Sequence, residues 1–443
     1  MLKPLITVIL PSLNVKSYIR ECMDSVTGQS FRELEILCID AGSTDGTLEI
    51  LKEYALADER VRIVHSDVKS YGKQINMGFE QAKGKYIAVV ETDDYIDLSL
   101  YEKLYTVAKE NRLDFVKADF MGVRMLRNGK LYYDKGRVWP DDELYGKVVS
   151  AEEYPELYVR DVNIWKGLYN RQFLINNKIR LNETPGAAFQ DIGFCHLLLL
   201  YAKRGMYIKD MLYFYRRDNG GASSVQPQGL CYAYQEYKRL CDLSVGLEKA
   251  KQFYHYLYVR MAYVFTGEYE KLLHCDKWKE KEFREAVGWF KETLGEAIEK
   301  SEIARMDIGT GNWEKLLLLI NNEDEFAADW HRNQEKKAEV ERKLLRELEE
   351  EEVVIFGCGH YGERCFLFCD NHNIAVAAFS DNNSDLWGKQ HCGYEVCSPA
   401  ELTGKYSGMK VIISAPKYER EIQVQLEEAG VEKERIILFS SYI

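Results

Sequence analysis

The first 120 residues alternate short, almost wholly apolar runs with longer segments whose apolar positions recur at helical spacing. Uninterrupted apolar runs suit strands buried on both faces of a parallel sheet, and the periodic segments suit the crossover helices that join such strands. The pattern predicts strands at Leu5–Leu10, Leu34–Ile39, Val61–His65 and Tyr86–Val90. Helices are predicted between them at Lys16–Val26, Thr47–Ala57 and Ile75–Ala82. An α/β nucleotide-binding domain follows from that alternation.

Further along, the regularity changes twice. Residues 121–225 are rich in aromatics and turn signals (Trp139-Pro140, Pro155, Trp165, Pro185-Gly186) and read as a less regular region able to wall an acceptor. Residues 229–350 read as helical, with Phe283, Val287, Phe290 and Leu294, and later Val340, Leu344 and Leu348, at helical spacing. Gln334–Glu352 alternates Lys, Arg and Glu so densely that it predicts a solvated helix between two domains, with a partner coiled coil as a thinner alternative. Strand patterns return at Val353–Phe356, Ala375–Phe379, Lys410–Ser414 and Arg435–Phe439, with a helix running to Asn371. The expected organisation is therefore 1–228, a helical 229–350, and a smaller α/β domain over 351–443.

Composition narrows the classes. A net charge of -12 over 443 residues argues against a nucleic-acid binder, whose affinity comes from Lys and Arg on phosphates. The eleven cysteines form no CxxC pair, which argues against a zinc or dithiol motif; Cys365 and Cys369, one helical turn apart, are expected to face a core. Free thiols without a signal-peptide pattern indicate the reducing cytoplasm. No apolar run reaches the ~20 residues needed to span a bilayer, so membrane association, at the inner face, would be peripheral.

The candidate chemistry lies where predicted strands end or helices begin. Tyr86–Val90 runs directly into Glu91-Thr92-Asp93-Asp94, three carboxylates where α/β sheets bind ligands. Taken alone, that triplet reads first as a polar loop with an Asp helix cap. Pro11-Ser12-Leu13-Asn14 follows the first strand and Asp40-Ala41-Gly42-Ser43-Thr44-Asp45-Gly46 the second. Gly72-Lys73-Gln74-Ile75-Asn76-Met77-Gly78 opens a helix, and Gln190-Asp191-Ile192-Gly193-Phe194 precedes another. For Ser43 and Asp45 a turn and helix cap is the preferred reading, and Asp191 by itself would be an N-cap for a helix at Ile192–Lys203.

In their order and spacing these five segments resemble the family 2 glycosyltransferases of the GT-A fold, over roughly the first half of the chain. The resemblance implies an inverting, metal-dependent transfer of a sugar from a nucleotide-diphosphate donor, a UDP-sugar by preference. The acceptor implied is a hydroxyl of a cell-surface polysaccharide or lipid-linked glycan. It further implies Asp191 as catalytic base, Asp93 as ligand to Mn2+ or Mg2+, and donor contacts from Pro11, Ser12, Asn14, Asp40, Lys73, Asn76, Glu91, Thr92, Asp93 and Arg217. Glu91 stands where Asp is commoner, and Ala41 replaces the second Asp of the usual pair, leaving Asp40 as the lone carboxylate for a uridine. Arg216 and Arg217, followed by Ser223-Ser224-Val225, resemble a segment that closes over the diphosphate. Such chemistry suits the residues, since a hard cation and a cationic side chain offset charge on a leaving diphosphate.

Gly357-x-Gly359-x-x-Gly362, between a strand and a helix, with Asp381 ending the next strand, matches a dinucleotide-type fingerprint. It marks a candidate second nucleotide site in a Rossmann-like domain, with self-association or regulation as alternative uses. Oligomers are compatible with the chain. The rival activities are a sugar nucleotidyltransferase, disfavoured because no Gly-rich loop follows the first strand, and a catalytically silent scaffold.

Overall fold

A computed structural model describes residues 3–220, 226–245, 247–349 and 351–439. It divides into two compact units, one comprising the described residues up to Val123 together with Asp134–Phe326, the other Arg124–Tyr133 together with the described residues from Ala327. The helical run is thus shared between the units, and the second unit also takes in a short segment from the middle of the first.

The first unit is built on ten strands: β1 Ile6–Ser12, β2 Leu34–Asp40, β3 Val61–His65, β4 Tyr86–Val89, β5 Tyr95–Ile96, β6 Phe115–Met125, β7 Leu131–Gly136, β8 Val148–Val149, β9 Gly167–Asn170 and β10 Gly205–Arg216. They form one sheet in the order β3-β2-β1-β4-β9-β6-β10-β5, with β7 on β6 and β8 on β10. β3, β2, β1 and β4 are mutually parallel, as the apolar runs require, and every residue of β1, β2 and β4 is buried. β9 then runs antiparallel between β4 and β6. Register pairs Ser12 with Asp40 and Ile9 with Val89, so the carboxyl ends of β1, β2 and β4 form one edge.

Several boundaries differ from expectation. β1 extends through Pro11 and Ser12, which therefore lie in the strand instead of after it, and β2 includes Asp40. The helix carrying Lys73 and Asn76 begins at Tyr71, capped by the Ser70 hydroxyl, which accepts from Lys73 N–H. The stretch 121–225 is more regular than its aromatics suggest, because it contains much of β6, all of β10 and the helix Gln190–Tyr201. Phe283, Val287, Phe290 and Leu294 are all buried, the last three on the helix Arg284–Glu299.

The second unit has a six-stranded sheet: β11 Glu352–Phe356, β12 Ala375–Ser380, β13 Gln390–His391, β14 Tyr394–Cys397, β15 Lys410–Ile413 and β16 Ile436–Leu438. The order is β13-β14-β12-β11-β15-β16, parallel except for β13. Leu344 and Leu348 are buried in its core beside Cys365 and Cys369, so the charged helix Glu323–Glu347 presents an apolar stripe here and is not solvated all round. Among the described residues, no helix is long and apolar enough to cross a membrane.

Candidate active site

The carboxyl edge of β1, β2 and β4 gathers the predicted acids. Asp40 is fully buried; its Oδ2 accepts from the N–H groups of Gly42 and Ser43 at 3.0 and 3.1 Å. Its Oδ1 is buried and has no partner. Since a buried acceptor without a donor is costly, that oxygen is suited to an N–H brought by a ligand.

The loops beside Asp40 are tied by side chains. Asn14, in the left-handed region at φ 54°, accepts from Thr44 N–H at 2.8 Å and donates its own N–H to the Ser43 hydroxyl at 3.0 Å. Asp45 accepts from Lys16 N–H and from Thr47. These bonds lock the β1 and β2 ends together, a structural use of Asn14, Ser43 and Asp45. Gln74 adds to it from a buried position by donating to the carbonyls of Ser12 and Ile39. Pro11 contributes its carbonyl, which accepts from the buried Thr92 hydroxyl at 2.8 Å.

At the end of β4 the acids occupy unlike environments. Glu91 accepts from the Tyr71 hydroxyl; burial pushes its pKa up to about 8, with the charges of Asp93 and Asp191 adding to the rise and the Tyr71 bond opposing it. Asp94 is held well above the usual carboxylate range, first by burial and then by Asp93, although it accepts from the Tyr213 hydroxyl and Arg216 N–H at 2.7 Å each. Tyr213 also accepts from Glu91 N–H at 3.1 Å, so one tyrosine on β10 fixes two residues of the acidic turn. Asp93 is the member left most available: Asn219 donates to its Oδ2 at 2.8 Å.

The two arginines diverge. Arg216 lays its guanidinium against the turn, donating to the Asp93 carbonyl at 3.0 Å and pairing with Glu21 at 2.5 Å. Arg217, the expected donor contact, instead pairs with Asp134 at 2.6 Å. Ser223-Ser224-Val225 lie outside the described residues.

Lys73 and Asn76 serve the approach to Asp191. Asn76 is buried and saturated: it donates to Leu181 O and Glu183, and accepts from Leu181 N–H. Lys73 pairs with Glu183 at 3.2 Å. Asn76 therefore clips the 181–183 segment in place, and Lys73 joins that anchoring.

Asp191 sits in the first turn of the helix Gln190–Tyr201, whose N-cap is Phe189 at φ 70°. It is thus not the cap; its Oδ1 accepts from Ile192 N–H at 2.9 Å. Burial pushes its pKa up to about 6, with Ile192 N–H and the positive charge of Arg260 pulling the other way. Arg260 and Glu236, both from the helical region and missed by sequence reasoning, interact with it through their charges. Glu236 packs on Gly193 so closely that a Cβ there would stand 1.6 Å from its Oε1, so a larger residue would displace the Glu236 carboxylate. Glu236 is itself pushed up to about 7, mainly by burial, with Asp191 adding to the rise.

Among the described residues, no group of three or more His, Cys, Asp or Glu side chains is arranged to hold a metal ion. The donor set consequently does not fit an all-protein cage. It does fit the manner in which Mg2+ or Mn2+ is usually held with nucleotides, by one or two carboxylates plus phosphate oxygens, with Asp93 as the carboxylate.

This mixed α/β sheet with acids converging on one edge is GT-A-like, and the family comparison agrees. The model of "Glycosyl transferase family 2" matches residues 7–189. The Bacillus subtilis protein named "Putative teichuronic acid biosynthesis glycosyltransferase TuaG" is 40% identical over 218 residues, covering 42% of this chain and 85% of TuaG. The chain belongs to glycosyltransferase family 2. A second relative, "Glycosyltransferase GlyG" of Streptococcus pneumoniae, is 28% identical over 295 residues, covering 63% of this chain and 94% of GlyG. The crystal structure of S. aureus TarS 1-349 in complex with UDP-GlcNAc superposes with a TM-score of 0.54 at 21% identity, covering 75% of this chain and 91% of that one, and so shares the fold. Residues 349–437 match the model described as "C2185-like, N-terminal".

Proposed function

We propose that the chain transfers a sugar, with inversion, from a UDP-sugar to a hydroxyl of a cell-surface polysaccharide or lipid-linked glycan. The observation that carries this reading is the placement of Asp191. A carboxylate with its pKa at about 6 stands on a different element from the strand-end acids, yet close enough for its charge to raise that of Glu91. A base in that position takes the acceptor hydroxyl's proton as the oxygen attacks the anomeric carbon and the bond to the diphosphate breaks. Asp40 orients the nucleobase through its unpartnered oxygen, and Tyr213 and Arg216 hold the acidic turn rigid. Asp93 would hold a divalent cation, which supplies positive charge to the leaving diphosphate. The UDP-GlcNAc complex of TarS and the polysaccharide named for TuaG support the choice of donor and acceptor.

The test is a calorimetric screen of UDP- and GDP-sugars with and without Mn2+, followed by NMR of the product's anomeric configuration. A UDP-sugar should bind more tightly with Mn2+, and the product should have the opposite configuration to the donor. Retained configuration, or no nucleotide sugar bound under either condition, would sink the reading.

A further inference from the structure

The second unit contains a cavity for which sugar transfer has no use. It measures about 470 Å3 and is lined by, among others, Gly357, Gly359, Asn382, Lys417, Tyr418 and Gln425. That volume lies in the ~300–1,000 Å3 range of small-ligand sites. Its walls come from the loops after β11, β12 and β15. β11 has β12 on one side and β15 on the other, so the strand order reverses at β11. Open α/β sheets bind ligands outside the carboxyl ends of the strands at such a reversal.

The lining has two chemically distinct ends. At one, Gly357 adopts φ 114° and a Cβ on Gly362 would come within 2.0 Å of its carbonyl, so the loop lies flush against the helix His360–Asn371. A Cβ on Gly359 would meet nothing within 4 Å, and no side chain caps that helix. Gly357 and Cys358 already donate their N–H groups to Ser380 O and Asp381, so what an anion is offered is the open space at Gly359 and the start of a helix with no side-chain cap, and the Lys417 ammonium adds a cation.

At the other end, Tyr418, Pro416 and Ile422 supply a flat apolar wall. Beside it Asn382 and Gln425 form a reciprocal amide pair, Nδ2 to Oε1 at 2.9 Å and Nε2 to Oδ1 at 2.8 Å. Each amide keeps one N–H and acceptor capacity for a further partner, which is what the edge of a heterocyclic base requires. A free phosphate would leave this half of the cavity unused.

Asp381 lines the cavity and also holds the loop in place. Its carboxylate accepts from Cys358 N–H at 2.8 Å and Asn383 N–H at 2.9 Å, which anchors the glycine loop to β12.

We propose that this cavity binds a nucleoside diphosphate, its phosphates on the Gly357–Gly359 loop and its base between Tyr418 and the Asn382–Gln425 pair. The site is separate from the Asp40–Asp93 edge and does not depend on the transfer reaction.

The test is calorimetry of the full chain with UDP, ADP and inorganic pyrophosphate, repeated on three variants. Gly359→Asp puts a carboxylate into the open space by the loop, and the affinity of at least one nucleotide should fall tenfold or more. Lys417→Ala, at an exposed side chain that the fold does not need, should weaken the same binding about threefold and decides the matter if Gly359→Asp does not fold. Asp40→Asn, at the other sheet edge, should leave that binding within twofold. The proposal is overturned if neither nucleotide binds, if binding responds to Asp40→Asn but not to the second-unit variants, or if pyrophosphate binds as tightly as the nucleotides. Because the readout is binding sensitive to Gly359 and Lys417, it is independent of whether transfer is found.

Discussion

Two sheet edges in this chain obey the same rule of α/β architecture with opposite chemistry. At the edge of β1, β2 and β4, burial first and neighbouring carboxylates second raise the pKa of Glu91 and Asp94, and Tyr71, Tyr213 and Arg216 steady the acidic turn. The edge at β11, β12 and β15 uses its acid, Asp381, to hold a glycine loop beside a cavity whose lining adds aromatic and amide groups, Lys417 and Glu421. A parallel strand's end is therefore a place to put chemistry, and the side chains decide which. The first edge suits a reaction that moves a proton and a leaving group; the second suits holding a ligand unchanged.

The largest effect that would test this contrast is at Asp191. Asp191→Asn should lower kcat by about 10²–10⁴, the range for loss of a general base, while calorimetry shows donor affinity unchanged. Near-normal turnover would remove the base from the first edge and with it the distinction between the two.

Next in size is a pair of stability measurements with opposite signs. Glu236, buried beside Asp191, has its folded pKa raised to about 7, so its favourable contribution exists at low pH and is lost as pH rises through 7. Glu236→Gln should accordingly stabilise the protein at pH 8, by up to about 3 kcal/mol if the full shift is expressed. Asp381→Asn, at the other edge, should destabilise by about 1–2 kcal/mol, because an amide can replace only one of the two acceptors used by Cys358 and Asn383 N–H. Thermal melts of both variants at pH 8 check this; the same sign for both would erase the proposed difference.

How much of this was legible in the sequence depended on whether a residue's role was local. β1, β2 and β4 showed themselves because both faces are buried, so every position is constrained to be apolar or small. β6 and β10 did not, because they mix buried and half-exposed positions and carry many aromatics and charges. The acids at strand ends were readable from their position after an apolar run. The anchoring use of Asn76 was not readable because its partners lie 105 and 107 positions away, and Tyr213 and Glu236 were missed because they reach the site only through tertiary packing. Arg216 and Arg217 are adjacent at the end of β10, yet Arg216 turns toward the acids and Arg217, just past the strand, toward Asp134, a choice fixed by tertiary packing.

The smallest predicted effect is also the most specific, the pH dependence of kcat/KM. Asp191 can take a proton only as a carboxylate, and burial has moved its pKa to about 6. Activity should therefore rise about tenfold per pH unit up to roughly pH 6 and then level off, where an ordinary carboxylate would level off near pH 4. Arg260 opposes the rise through its positive charge, so Arg260→Met should move the shoulder to higher pH while leaving the plateau donor affinity in place. A profile already flat at pH 5, or a shoulder unmoved by Arg260→Met, would mean that the group limiting the reaction is not the buried carboxylate of Asp191, and the first edge would then have to find its base elsewhere.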